Sequence, residues 1–100
     1  MPIYVDCERN SFQGMVMCHM VADTPDELHA MASAIGMRRE WYQSPMKASF
    51  PHYDVPLPRR VLAIKNGAKE ITARELVVFM RATRKLLFDN GKTWRESGWW

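Results

Sequence analysis

Two strand-like segments in this chain each lead into a helix-starting box, and that pairing constrains the fold more than any other feature. Met15-Val16-Met17-Cys18-His19-Met20-Val21 is followed by Thr24-Pro25-Asp26-Glu27, and the short run Ala68–Ile71 is followed by Thr72-Ala73-Arg74-Glu75. In each box a threonine stands at the N-cap and a glutamate three residues on, so their side chains satisfy backbone N–H groups that a helix start leaves without partners. Pro25 suits the first helical position, where no N–H is needed. The spacing of Leu28, Met31, Ala32 and Ile35 predicts a helix over about 25–35 that ends at Gly36. The spacing of Leu76, Phe79, Met80, Thr83 and Leu87 predicts a longer one over about 73–88, ended by Asp89-Asn90-Gly91. Met15–Val21 reads as a buried strand, and Ala68–Ile71 is too short to be anything but a further strand.

The remaining segments fill in the order. Ile3-Tyr4-Val5 is a β-branched and aromatic strand closing on Asp6, and Asn10 to Gly14 supplies a turn or short loop. Glu40-Trp41-Tyr42-Gln43 reads as a third strand, and Ser44 to Pro51 as an irregular loop that delivers the chain to the extended segment His52–Pro56. Pro58 to Asn66 then forms a short helix with Val61, Leu62 and Ile64 inward, stopped by Gly67. Strand, strand, helix, strand, loop, helix, strand, helix is the pattern of a small α/β domain, with a mixed sheet of about four strands and three helices. Residues 1–91 are read as that single domain and 92–100 as a tryptophan-rich tail that packs back, pairs with another copy, or moves freely.

Composition agrees with one modest core. One hundred residues at 47% apolar content suit a single domain rather than two, and association with a second copy would help so small a core. The eight methionines point to adaptable core packing more than to a cofactor site. Charge is divided: residues 1–58 balance to −3 and residues 59–100 to +6, which makes the second part either a surface for nucleotide or nucleic-acid phosphates or an ordinary solvated helix face. Cys7 and Cys18 are the only cysteines. With no signal-peptide pattern at the start, they are expected to be buried thiols of a cytoplasmic protein, although a disulfide between the two strands is geometrically possible. No stretch approaches the ~20 apolar residues of a membrane span.

The ordered motifs carry a family resemblance. Tyr4-Val5-Asp6, then His19-Met20-Val21-Ala22-Asp23-Thr24 running into Glu27-Leu28-His29-Ala30, Ile35-Gly36, Trp41-Tyr42-Gln43, His52-Tyr53-Asp54-Val55, and Asn66-Gly67-Ala68 before Arg74-Glu75-Leu76 together resemble the 4031 family of domains of unknown function, known from bacteria and their phages. The resemblance spans about residues 3–82 and implies a shared fold without defining an activity. Residues 83–100 look peculiar to this chain.

Chemistry is concentrated at three histidines, each with a carboxylate near it in the chain. His19 lies in an apolar strand four residues before Asp23, so it is a candidate ligand or general base with a carboxylate to orient it. The competing role is a buried histidine satisfied by backbone. His52 and Asp54 flank Tyr53, and in an extended segment they point to the same side, where they can grip one metal ion or polar ligand. Asp6 is the expected third edge of that site. His29, beside Asp26 and Glu27, is one position out of step with its helix's buried stripe and is assigned to structure or surface. Arg59 and Arg60 open a helix just after Asp54 and can recruit a phosphate, or pair with Asp54 instead. Trp41 and Tyr42 can stack a base, with core packing as the competing role, and Tyr53 joins Trp41, Arg59 and Arg60 as a candidate ligand-binding residue.

The chain has no Gly-rich phosphate loop, no paired Cys-x-x-Cys, no His-Glu-x-x-His helix and no recognisable nucleophile context. Three functions are left. The first is metal-dependent hydrolysis of a phosphate-containing substrate, with catalytic His19, Asp23, His52 and Asp54 and a divalent ion on Asp6, His52 and Asp54. The second is a noncatalytic nucleotide or nucleic-acid binding module, and the third an interaction or oligomerisation domain using the tryptophan tail.

Overall fold

The strand Met15–Ala22 is the axis of the domain, because both of its edges are occupied. A computed structural model describes residues 2–6, 10–12 and 15–100. Its elements are β1 (Ile3–Asp6), β2 (Asn10–Phe12), β3 (Met15–Ala22), α1 (Pro25–Ala34), β4 (Tyr53–Pro56), α2 (Leu57–Lys65), β5 (Lys69–Ile71) and α3 (Ala73–Asp89). Met17 pairs with both Asn10 and Pro56, and Met20 with both Val5 and Tyr53. A residue has one partner on each side, so β4 occupies one edge of β3 while β1 and β2 share the other. The five strands therefore form four rows, with β5 parallel to β1 at one edge and the other pairings antiparallel. This is the mixed sheet of a small α/β domain.

Side chains alternate across the sheet, and the alternation sorts them into two layers. Ile3, Val5, Cys18, Met20, Ala22, Tyr53 and Val55 face α1 and α2, where Leu28, Met31, Ala32, Ile35 and Ala63 complete a cluster of buried residues. The opposite face carries Tyr4, Val21 and Ile71, covered by Leu76, Phe79 and Met80 of α3 with Phe50 beside them. Helix α1 starts as the sequence predicts, with Thr24 accepting from the Glu27 amide behind Pro25. Helix α3 carries the full reciprocal box: Thr72 and Glu75 each accept from the other's backbone N–H.

Several segments differ from the reading of the sequence. Glu40–Gln43 is not a strand: Arg39–Trp41 forms a 3-10 turn, and only Gln43 bridges to His52. The ladder has nowhere to continue, since the Ser44 carbonyl is taken by the amides of Lys47 and Ala48 and Pro45 has no N–H to offer. The extended His52–Pro56 segment supplies β4 instead. Asn10–Phe12 is a strand rather than part of a turn, and residues 13–14 lie outside the described residues. In α2 the inward residues are Ala63, with Leu57 and Ile64 packed against the core, whereas Val61 and Leu62 are exposed. The helix begins one residue earlier than predicted, and the small Ala63 sets the line of contact with the sheet.

The C-terminal segment folds against the domain. Trp99 is buried in the α1 layer, the Tyr42 hydroxyl donates to its carbonyl at 2.6 Å, and Trp94 packs edge-on to Phe50. Cys18 is buried, while Cys7 lies outside the described residues. Among the described residues no helix is long and apolar enough to cross a membrane.

Candidate metal centre

The α3-facing side of β3 and β4 brings two imidazoles and a carboxylate together. Cys18 and Met20 point into the α1 layer, so His19 between them must point the other way, and the antiparallel register sets it directly across from Asp54 of β4. His52 stands two residues before Asp54 in extended chain, hence on the same side. Within the described residues, ligand atoms of His19, His52 and Asp54 lie within 4.8 Å of one another. The two imidazole rings meet edge to face, with centroids 5.3 Å apart.

Each imidazole is oriented from behind. Val5 pairs with Met20, which leaves Asp6 at the end of β1 alongside His19. The fully buried Asp6 carboxylate accepts from the His19 amide at 2.8 Å and lies 2.7 Å from His19 Nδ1. Nδ1 therefore carries the proton of that bond, and the ring's lone pair is on Nε2. His52 Nδ1 donates to the Phe50 carbonyl at 2.7 Å, which again assigns the lone pair of the neutral ring to Nε2. Yet His52 Nε2 is 3.2 Å from Asp54 Oδ1. In that contact Nε2 donates to Asp54 as an N–H, or the two atoms share a cation. The hydrogen bond with His52 holds the Asp54 carboxyl below the usual carboxylate range, burial opposes this, and the positive character of His52 and His19 adds to the lowering.

Other candidates fall elsewhere. Asp23 stands at the opposite end of the sheet from Asp6, because β1 and β3 run antiparallel; its amide bonds to the Pro2 carbonyl. Burial and the nearby Glu27 raise its carboxyl above the ordinary value, without reference to His19. Tyr53, expected to touch a ligand, is fully buried on the other face of β4, where its hydroxyl meets His29 Nδ1 at 2.9 Å. His29 is thus a structural histidine, packed edge-on to Tyr42 at 4.6 Å, and burial lowers its pKa, helped by Arg39 and opposed by Asp26. Burial likewise pushes the Tyr42 hydroxyl well above the usual tyrosine range, with Tyr53 adding to the shift.

Trp41 is exposed on its 3-10 turn beneath the Arg38 guanidinium, 5.8 Å from the ring centre. Arg59 donates to the Ile35 carbonyl at 2.7 Å, at the end of α1. Arg60 does reach β1, but its guanidinium is engaged by the Asp6 carbonyl at 2.8 Å and by Glu70 at 3.0 Å. Neither arginine pairs with Asp54, and Arg60 braces the strand end that carries Asp6. Asp6, expected as a metal ligand, is instead bonded to His19 and lies outside the His19, His52 and Asp54 group. The Phe50 carbonyl is a member that no side-chain pattern announces, since it acts through backbone.

A family model described as protein of unknown function, DUF4031, matches residues 3–83. The chain belongs to the DUF4031 family. The match takes in every strand and the His19, His52, Asp54 and Asp6 cluster of this DUF4031 domain, and it stops within α3. No curated protein and no solved structure matches the chain.

Proposed function

We propose that this DUF4031 domain binds a divalent metal ion through His19, His52 and Asp54 and uses it to hydrolyse a phosphate ester. The observation that carries the metal is the convergence of ligand atoms of His19, His52 and Asp54 within 4.8 Å, with His19 Nδ1 held by a buried carboxylate. A carboxylate or carbonyl behind each ligating imidazole is the usual second layer of a metal site. Ligand atoms on one ion at about 2.1 Å stand no more than about 4.2 Å apart. The widest gap, within 4.8 Å, therefore closes by a small rotation of the half-exposed Asp54. Two nitrogens and one oxygen favour zinc, iron, cobalt or manganese over calcium and magnesium.

Three protein ligands leave room for water, and a bound metal lowers the pKa of such a water to about 7. The residues hold the ion at one end of the sheet, Asp6 and the Phe50 carbonyl fix the imidazole tautomers, and no separate base is needed for a nucleophile at neutral pH. The phosphate class is favoured by the +6 balance of residues 59–100 and by Arg84, which donates to the Ser49 carbonyl at 3.2 Å beside the His52 segment. Equilibrium dialysis against zinc, cobalt and manganese should give about one ion per chain, lost in His52→Ala and Asp54→Ala variants that keep their circular dichroism. Chelator-sensitive cleavage of bis(p-nitrophenyl) phosphate is expected to be lost in the same variants. Metal content unchanged in both variants would remove the proposal.

A further inference from the structure

The two histidines of the proposed centre are also the polar end of a cavity of about 180 Å³. Its other walls are Val21 of β3, Ser49 and Phe50, and Leu76 and Met80 of α3. Phe50 is rigid there: it is buried, flanked by Phe79 and Trp94 at ring distances of 6.0 and 5.6 Å, and covered by the Arg84 guanidinium at 5.4 Å. Met80 is only half-buried and has an unbranched side chain that adapts to what it meets. A polar group placed against Val21, Phe50, Leu76 and Met80 would find no side-chain partner among those four, and Ser49 at the exposed margin is the one polar wall besides the histidines.

Resting on the metal reading, we infer that the substrate has two parts: a metal-binding polar head at His19 and His52, and an apolar group of about one six-membered ring between Phe50, Leu76 and Met80. The volume sets one ring as the upper bound, since an apolar cavity of about 150 Å³ accommodates benzene and the 180 Å³ here includes the histidine end. The class follows from the walls. Aryl or branched-alkyl esters therefore fit, and esters of small polar alcohols leave the cavity unfilled.

Hydroxamates bind metals through the same head whatever they carry behind it, so they separate the cavity from the metal. The full chain loaded with cobalt should show a visible absorption spectrum that responds to both acetohydroxamate and benzohydroxamate. Benzohydroxamate should bind at least about tenfold more tightly, the discrimination an apolar pocket gives for a few extra carbons. Met80→Trp, which fills the cavity, should bring the ratio of the two affinities near one. Met80→Ala, which enlarges it, should instead favour a naphthyl hydroxamate over the phenyl one. Equal affinities for the two hydroxamates in the cobalt-loaded protein would overturn this inference and leave the metal reading standing. Absence of any cobalt spectrum would overturn the metal reading, and this inference with it.

Discussion

Asp6→Asn tests the centre without removing any proposed ligand. The carboxylate accepts two bonds from one residue, 2.8 Å from the His19 amide and 2.7 Å from Nδ1. Asparagine has nearly the same shape but only one oxygen; its other arm is an NH2 group. If the oxygen keeps the backbone N–H, the NH2 faces Nδ1, and His19 must take the opposite tautomer with Nε2 protonated. The nitrogen that would meet the ion then carries a hydrogen. Losing such a supporting partner weakens metal binding about 10–100-fold, or roughly 1.4–2.7 kcal/mol. Loss of the charge on a buried acceptor costs about 2 kcal/mol of fold stability, within the roughly 5–15 kcal/mol that small domains have. Arg60 still braces the strand, because it binds the Asp6 carbonyl rather than the side chain.

The assay is zinc competition against a chromophoric chelator at pH 7.5, with urea unfolding in the presence of EDTA as the separate measure of stability. The expected result is a folded variant with weaker zinc binding, less impaired than His52→Ala. A variant that loses stability but binds zinc within twofold of the unaltered protein would refute the orienting role of Asp6. The carboxylate would then be no more than a strand-end acceptor.

Three further outcomes follow from the structure. His29 has a folded pKa below its ordinary value, so it stays neutral in the fold while the unfolded chain takes up a proton near pH 6.5. Its contribution is fully present above about pH 6.5 and is lost as pH falls below that toward the folded pKa. Urea midpoints in EDTA at pH 7.5 and 5.0 should therefore differ more for the unaltered chain than for His29→Gln; equal differences would remove the explanation. Gly36 and Gly67 both have positive φ, +78° and +104°, but a Cβ at Gly36 would collide with Arg59 Nη1 whereas one at Gly67 meets open space. Both Gly→Ala changes should cost roughly 1–3 kcal/mol for a side chain held at positive φ, and Gly36→Ala should cost more because the displaced Arg59 Nη1 also loses its bond to the Ile35 carbonyl; the reverse order of melting temperatures would count against it. Trp99→Ala should cost about 3–5 kcal/mol as a buried tryptophan, and a change below about 1 kcal/mol would show that the C-terminal segment contributes little packing.

Which parts of the site could be read from the chain depended on geometry that travels with sequence. His52 and Asp54 were legible because two residues apart in extended chain means the same side, whatever the strand pairs with. The helix starts were legible because Thr24 with Glu27 and Thr72 with Glu75 act within one turn. The link from His19 to Asp23 failed for a related reason. Four residues bring side chains together on a helix, but on a strand they separate them by about 13 Å at roughly 3.3 Å per residue. The real partner, Asp6, is 13 positions away and is delivered by the β1–β3 register. Register depends on which hydrophobic sets pair across the sheet, and no local motif states it. Tyr53 was misplaced although it sits between two site residues, and that position is the reason: alternation sends it to the opposite face.

That alternation also explains why the cluster lies where it does. Helices α1 and α2 cover one face of the sheet, and the side chains they meet are apolar throughout the buried cluster. Among the described residues α3 is the only helix on the second face, and of its residues just Leu76 is buried. It covers Tyr4, Val21 and Ile71 and leaves the His19, His52 and Asp54 end partly open, with all three only half-buried. A buried Asp6 would be costly on its own; the bonds from His19 offset that cost, and they hold the imidazole at the rim of the apolar cavity. One turn of α3 further along the sheet and these positions would have had to be hydrophobic. The length and placement of that one helix decide both where the polar cluster is tolerated and that an apolar wall, made by Leu76 and Met80, stands beside it.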